Sequence, residues 1–155
     1  MKSSKIDQLL QDLKKMDEVA RQRATSELWQ LWFTEKGEIG RELLRRSQSF
    51  LDQGNFQKAE ALLTETIENY PDFAEAWNRR AVLYFSLEKY EQAQQDCEQV
   101  IQLIPYHFGA LHGLGLCLLA LGKYPDAIAA FRQALEVQPH ALINQKLILE
   151  CTALL

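Results

Sequence analysis

Apolar residues recur at helical spacing along nearly all of this chain, and from residue 40 onward the pattern repeats. Trp77, Ala81 and Tyr84 form an i, i+4, i+7 stripe, the signature of one buried face of a helix. A short polar turn, Leu87-Glu88-Lys89-Tyr90, follows. Ala93, Cys97, Val100, Ile101 and Ile104 then mark a second amphipathic helix, and Pro105 stops it. The same grammar returns downstream with Leu111, Leu114, Gly115 and Leu118, the turn Leu121-Gly122-Lys123-Tyr124, and Ala127, Phe131, Ala134 and Leu135. There Pro125 suits a first helical position. Upstream it is written as Leu43, Ser47 and Phe50, the turn Gln53-Gly54-Asn55-Phe56, then Ala59, Leu63, Thr66 and Ile67.

These segments are in register. Pro71, Pro105 and Pro139 lie 34 residues apart, as do Ala59, Ala93 and Ala127. The aromatics Phe56, Tyr90 and Tyr124 and the small residues Ser47, Ala81 and Gly115 keep the same step. Self-similarity at this period marks a helix–turn–helix solenoid, in which each unit buries its apolar face only against its neighbours. The units run 40–73, 74–107 and 108–141. The small residues let paired helices approach closely, and Phe50, Trp77, Tyr84 and Phe131 fill the space beside them.

Over roughly residues 40 to 141 the pattern resembles the tetratricopeptide repeat. The third unit matches it nearly throughout, with Leu111 in the tryptophan place, and the second carries Trp77 itself. Arg46 and Arg80 stand where the family has leucine, and Glu88 where it has the turn glycine. The stretches Ala76–Ala81 and His107–Leu111 resemble those of small bacterial members of the family, a likeness that brings no biochemical activity with it. The resemblance implies an all-α, right-handed superhelical solenoid of antiparallel helix pairs, with helical caps at both ends. It also implies that the first helix of each pair lines a concave groove, through positions that here include Arg41, Leu44, Arg45, Gln48, Asn78, Arg79, Val82, Phe85, His112 and Leu116. The lysines of the family's clamp for chaperone C-termini have no counterparts at the matching places, which argues against that ligand.

Charge adds a direction to the groove. First helices carry Arg41, Arg45, Arg46, Arg79 and Arg80, whereas second helices are acidic through residues such as Glu60, Glu65, Glu91 and Glu98. A basic, partly apolar lining fits a protein or peptide segment that is acidic and has apolar anchors. The reading is therefore a non-catalytic interaction module, an adaptor or assembly factor. The net charge of −4 weighs against nucleic acid as the partner. Single-stranded RNA binding is accordingly the third reading, since aromatics for stacking are scarce along the first helices.

Chemistry has little to stand on. No phosphate-binding loop, nucleophile elbow or His-Glu-x-x-His is present, and the glycines at 109, 113 and 115 fall within a helix. His107 and His140 follow closing prolines, where a solvated turn is expected, and His112 lies on a first helix. The three cysteines are scattered without a Cys-x-x-Cys, so neither a disulfide framework nor a metal site is expected, and no cofactor. Buried inert thiols and a reducing, cytoplasmic setting follow. No apolar run approaches the ~20 residues of a membrane span.

Both ends remain helical outside the repeats. Residues 1–39 read as an N-terminal helical pair, a degenerate repeat or a cap, and residues 142–155 as a C-terminal capping helix. Trp29, Trp32 and Phe33 offer a second functional reading. Exposed, they would form an adhesive face, making the chain a structural subunit or homo-oligomer joined through its terminal helices.

Overall fold

The computed structural model describes residues 2–155, and every regular element among them is an α-helix. α1 (Lys2–Asp12) and α2 (Glu18–Phe33) form an N-terminal hairpin. Three pairs follow: α3 (Gly37–Asp52) with α4 (Phe56–Asn69), α5 (Ala74–Ser86) with α6 (Tyr90–Leu103), and α7 (Phe108–Ala120) with α8 (Tyr124–Val137). The last helix, α9 (Leu142–Ala153), packs on α8. The chain is an all-α solenoid of helix pairs.

The periodic positions explain the packing. Ala59, Ala93 and Ala127 are completely buried at the three crossings. A Cβ added to Gly115 would lie 2.3 Å from the Phe131 ring, so the glycine is what admits that ring between α7 and α8. The turn inside each pair needs one left-handed residue, supplied by Gly54 (φ 74°), Glu88 (φ 60°) and Gly122 (φ 75°). Glu88 therefore adopts a backbone that an L side chain disfavours. Trp77 donates its Nε1–H to the Pro71 carbonyl at 2.8 Å, tying the start of α5 to the turn before it.

Arg80 has a structural use that its departure from leucine does not announce. Its guanidinium grips the Asp96 carboxylate with two bonds of 2.8 Å and donates to Thr64 Oγ1 at 3.2 Å, while its face lies over Trp77 and Tyr84. One side chain of α5 thus links α4 to α6. Burial pushes the Asp96 carboxyl above its usual range despite this partner.

The N-terminal hairpin does not lie along α3, with which α2 has only slight contact. Its buried residues, Leu9, Leu13, Ala24, Leu28 and Trp32, form a core with Phe108, flanked by Ile104, Tyr106 and Val137. These partners sit at the turns between pairs. Gln138 adds a 3.4 Å bond to Thr25 Oγ1, and the His140 ring reaches the Lys14 carbonyl at 3.4 Å. The hairpin therefore lies across the ends of the second and third pairs.

Candidate functional site

α5 and α7, first helices of successive pairs, lie side by side, and α2 faces α5 across a gap. Two cavities open on this surface. One, of about 510 Å³, is lined by Trp29, Gln30 and Phe33 of α2 and by Glu75, Asn78 and Arg79 of α5. The other, of about 190 Å³, lies between α5 and α7 and is walled by Ala81, Val82, Phe85, Gly109, Gly113 and Leu116. Cys97 and Cys117 line it as well, together with Asn78 and His112. Asn78 belongs to both cavities, so they adjoin.

The first cavity is polar and aromatic. The Phe33 ring lies under two guanidiniums, that of Arg79 at 5.4 Å from the centroid and that of Arg45 at 6.0 Å, within cation–π range. Glu75 is buried beside them and accepts from Asn78 Nδ2 at 3.1 Å, with Arg79 Nε at 3.9 Å. Arg45 is more than half exposed and has Glu38 Oε1 at 3.8 Å, while Arg41 is bonded to Glu38 on its own helix. Two arginines, Arg45 and Arg79, thus flank Phe33 at this mouth, with the Glu75 carboxylate buried beside Arg79. Gln48, also exposed, bonds Asp52 at 2.9 Å.

The second cavity is apolar in effect. Asn78 donates to Glu75, and His112 donates from Nδ1 to Asn144 Oδ1 at 2.7 Å, so each polar side chain has one partner within the fold. The missing side chain at Gly113 matters here, since a Cβ there would stand 3.3 Å from Cys97 Sγ. Val82 sits at the rim, 63% exposed. Cys97, Cys117 and Cys151 are all buried and free, and the surroundings of Cys97 push its thiol far up, the state of a packing residue.

Three sequence expectations need correction. Leu44 does not line the groove. It is 0% exposed and packs with Ala59, Leu63 and Phe73, because it falls on the face of α3 that meets α4. His107 is not solvated. It is 0% exposed, accepts from the Ala110 amide through Nδ1 at 3.0 Å as the cap of α7, and stacks on Trp32 at 4.0 Å. That bond leaves the proton on Nε2, which lies 3.6 Å from Glu75 Oε1, beyond hydrogen-bond distance. The Trp29, Trp32, Phe33 set is not an outward adhesive face. Trp32 is 4% exposed, Trp29 meets Trp32, His107 and Phe108 edge-on, and Phe33 lies beneath the arginines. The sequence signal for this docking is Gly109, where a Cβ would stand 2.5 Å from the Trp29 ring.

No group of His, Cys, Asp and Glu among the described residues is arranged to hold a metal ion. No helix among them is long and apolar enough to cross a membrane.

Two family models, each described as tetratricopeptide repeat, match residues 43–72 and 72–139. A TPR repeat-containing protein of Rhizobium etli is 29% identical over 136 residues, covering 87% of this chain and 67% of the relative. The small glutamine-rich tetratricopeptide repeat-containing protein 2 of Saccharomyces cerevisiae is 33% identical over 75 residues, 48% of this chain and 22% of that protein. The chain thus spans about two thirds of the first relative's length and under a quarter of the second's. Among solved structures, the first TPR of Spaghetti (RPAP3) bound to HSP90 peptide SRMEEVD superposes with a TM-score of 0.69 at 22% identity. That match covers 72% of this chain and 88% of that one. The second TPR domain of human RPAP3 in complex with HSP70 peptide SGPTIEEVD gives 0.67 at 25% identity, over 71% and 92%.

Proposed function

We propose a function from the premise that this chain belongs to the tetratricopeptide repeat family: it binds a protein or peptide segment in the groove between α2, α5 and α7. The role is non-catalytic, that of an adaptor or assembly factor, with a cytoplasmic location in keeping with three free buried thiols. One observation carries the reading: a cleft edged by the Arg45 and Arg79 guanidiniums adjoins an apolar cavity through Asn78. Guanidiniums favour carboxylates, and the cavity favours apolar side chains, so the segment is acidic with apolar anchors. Related domains seen with the acidic peptides SRMEEVD and SGPTIEEVD support this use of the fold. Arg41, Arg45, Gln48, Asn78, Arg79, Val82, Phe85, His112 and Leu116 are the residues assigned to the groove.

The test is an affinity pull-down from the source cells with an arginine double variant as control. Glu75 is buried beside Arg79, so Arg79→Gln is used with Arg45→Glu to avoid two facing carboxylates. The variant is expected to keep wild-type circular dichroism and to lose the partner. Full retention of the partner would falsify the groove reading.

A second reading rests on α9 and the tail after it. Leu142, Ile143, Leu149, Leu154 and Leu155 are exposed there, where a terminal cap is expected to be polar. Association of copies through that end makes the chain a structural subunit, and light scattering over a wide concentration range tests it. A monomer throughout removes this alternative.

A further inference from the structure

We propose that α9 is a homodimerisation helix: it packs antiparallel against α9 of a second copy, about a two-fold axis at the level of Ile148. This rests on association through the C-terminal end and adds the partner's orientation and the residues that select it. Asn144, Leu147 and Cys151 are the buried residues of α9, which packs on α8, so Leu142, Leu149 and Ala153 form an exposed stripe on its opposite side. Leu142 is 70% and Leu149 71% exposed. The repeat frame argues against a further helix of the repeat kind on that stripe. Ser47, Ala81 and Gly115 hold a small place in each first helix, which lets its pair partner approach closely, and the next such place is Leu149. A leucine there instead supplies a knob for a helix that stands further off.

Two observations select a second copy in antiparallel orientation. The other end of the array is polar: α3, along which the N-terminal hairpin does not lie, exposes the stripe Glu42, Arg46 and Ser49, and Ile39 is its one exposed large apolar residue. Head-to-tail stacking would set the leucines of α9 on those charges, so an isologous pair remains. Charge then sets its direction. Lys146 and Glu150 lie along one edge of the leucine stripe, exposed and without an ion pair to another described residue, whereas Gln145 and Thr152 line the other edge. In an antiparallel pair related by a two-fold axis, like edges meet. Lys146 and Glu150 stand equally far from Ile148, as do Leu142 and Leu154. An axis at that level therefore sets Lys146 opposite Glu150 of the second copy, and Leu142 opposite Leu154, at both ends of the interface. Leu149 lies beside the axis. A parallel pair would instead set lysine on lysine and glutamate on glutamate.

The experiment is sedimentation equilibrium of the full chain over a wide concentration range, with variants at exposed positions whose folding is checked by circular dichroism. Wild type is expected to dimerise, and Leu149→Lys to stay monomeric. Lys146→Glu and Glu150→Lys each bring like charges together at both ends of the interface, and each should weaken the dimer by about tenfold. Combining them in one chain should restore wild-type affinity. Mixing the two single variants should restore it too, as a heterodimer, which also shows that both are folded. Dimers that Leu149→Lys abolishes but charge reversal leaves unchanged overturn the antiparallel register and leave association through this end standing. A monomer at every concentration, or association indifferent to all these variants, overturns the register and that association together. The groove reading is untouched by either result, because Arg45 and Arg79 lie on other helices.

Discussion

At the residue scale, the turn inside each pair offers the cleanest experiment. Gly54, Glu88 and Gly122 share one left-handed conformation, and only Glu88 carries a side chain. Left-handed backbone costs an L residue about 1–2 kcal/mol, part of which glycine gives back as extra entropy in the unfolded chain. Glu88→Gly is expected to stabilise the protein by about 0.5–1 kcal/mol, read as a higher denaturation midpoint in urea. Gly115→Ala should do the reverse. Its Cβ would stand 2.3 Å from Phe131, a core ring with no exposure, so overpacking of about 1–3 kcal/mol is expected in the same measurement. Both positions were legible in the sequence, because a 34-residue frame compares three copies of one environment. His107 was not. It stands two residues after its proline, the place of Phe73 and Ala141 in the repeat frame, whereas His140 stands one residue after its own and is part-exposed. What stacks on His107 is Trp32, some 75 residues away in sequence and invisible to any local pattern.

Helix pairing raises a different question, because a frame that specifies apolar positions says nothing about a charge placed among them. Arg80 on α5 binds Asp96 on α6 and Thr64 on α4, both side chains of the ion pair largely buried. Burial raises the Asp96 carboxyl even with this bidentate partner, whereas the bond to Asp96 outweighs burial at Arg80 and raises its guanidinium, so attraction and desolvation nearly offset across the pair. The pair then contributes less to stability than its geometry suggests, and removing one member alone strands the other. Arg80→Leu is expected to cost about 3 kcal/mol. Adding Asp96→Leu should recover most of that loss, within about 1 kcal/mol of wild type. Thermal or urea unfolding of the two variants checks the ordering, and a double variant no more stable than the single one would show that the pair itself is a net gain. Sequence alone marks Arg80 as a departure from the family pattern. Its partner lies 16 residues on, and the contact exists only because α4, α5 and α6 stack.

For the whole molecule, the repeats alone would give a quasi-linear array, each pair stabilised by its neighbours. The N-terminal hairpin changes that, since α1 and α2 join residues near the chain start to the turns after α6 and α8. Contacts between Thr25 and Gln138, 113 residues apart, make opening of the hairpin and of the second and third pairs energetically linked. Gly109 is the place to break the link. It lies on α7, where a Cβ would stand 2.5 Å from Trp29, yet it borders the apolar pocket rather than the core between α7 and α8. Gly109→Ala also improves helix propensity by about 1 kcal/mol, so α7 itself should not weaken. Trp29 must then move, and with it the packing of Trp32 on His107 and the Phe33 ring beneath Arg45 and Arg79. Native-state hydrogen exchange is expected to show lost protection throughout α1 and α2, while α3 and α4 keep wild-type protection. The same variant should bind acidic peptides more weakly, because α2 forms one wall of the cleft that holds the carboxylate. Unchanged exchange in α1 and α2 would mean that the indole slides without releasing the hairpin. Equal loss across all helices would mean that the hairpin is part of a single cooperative unit rather than a separately docked wall.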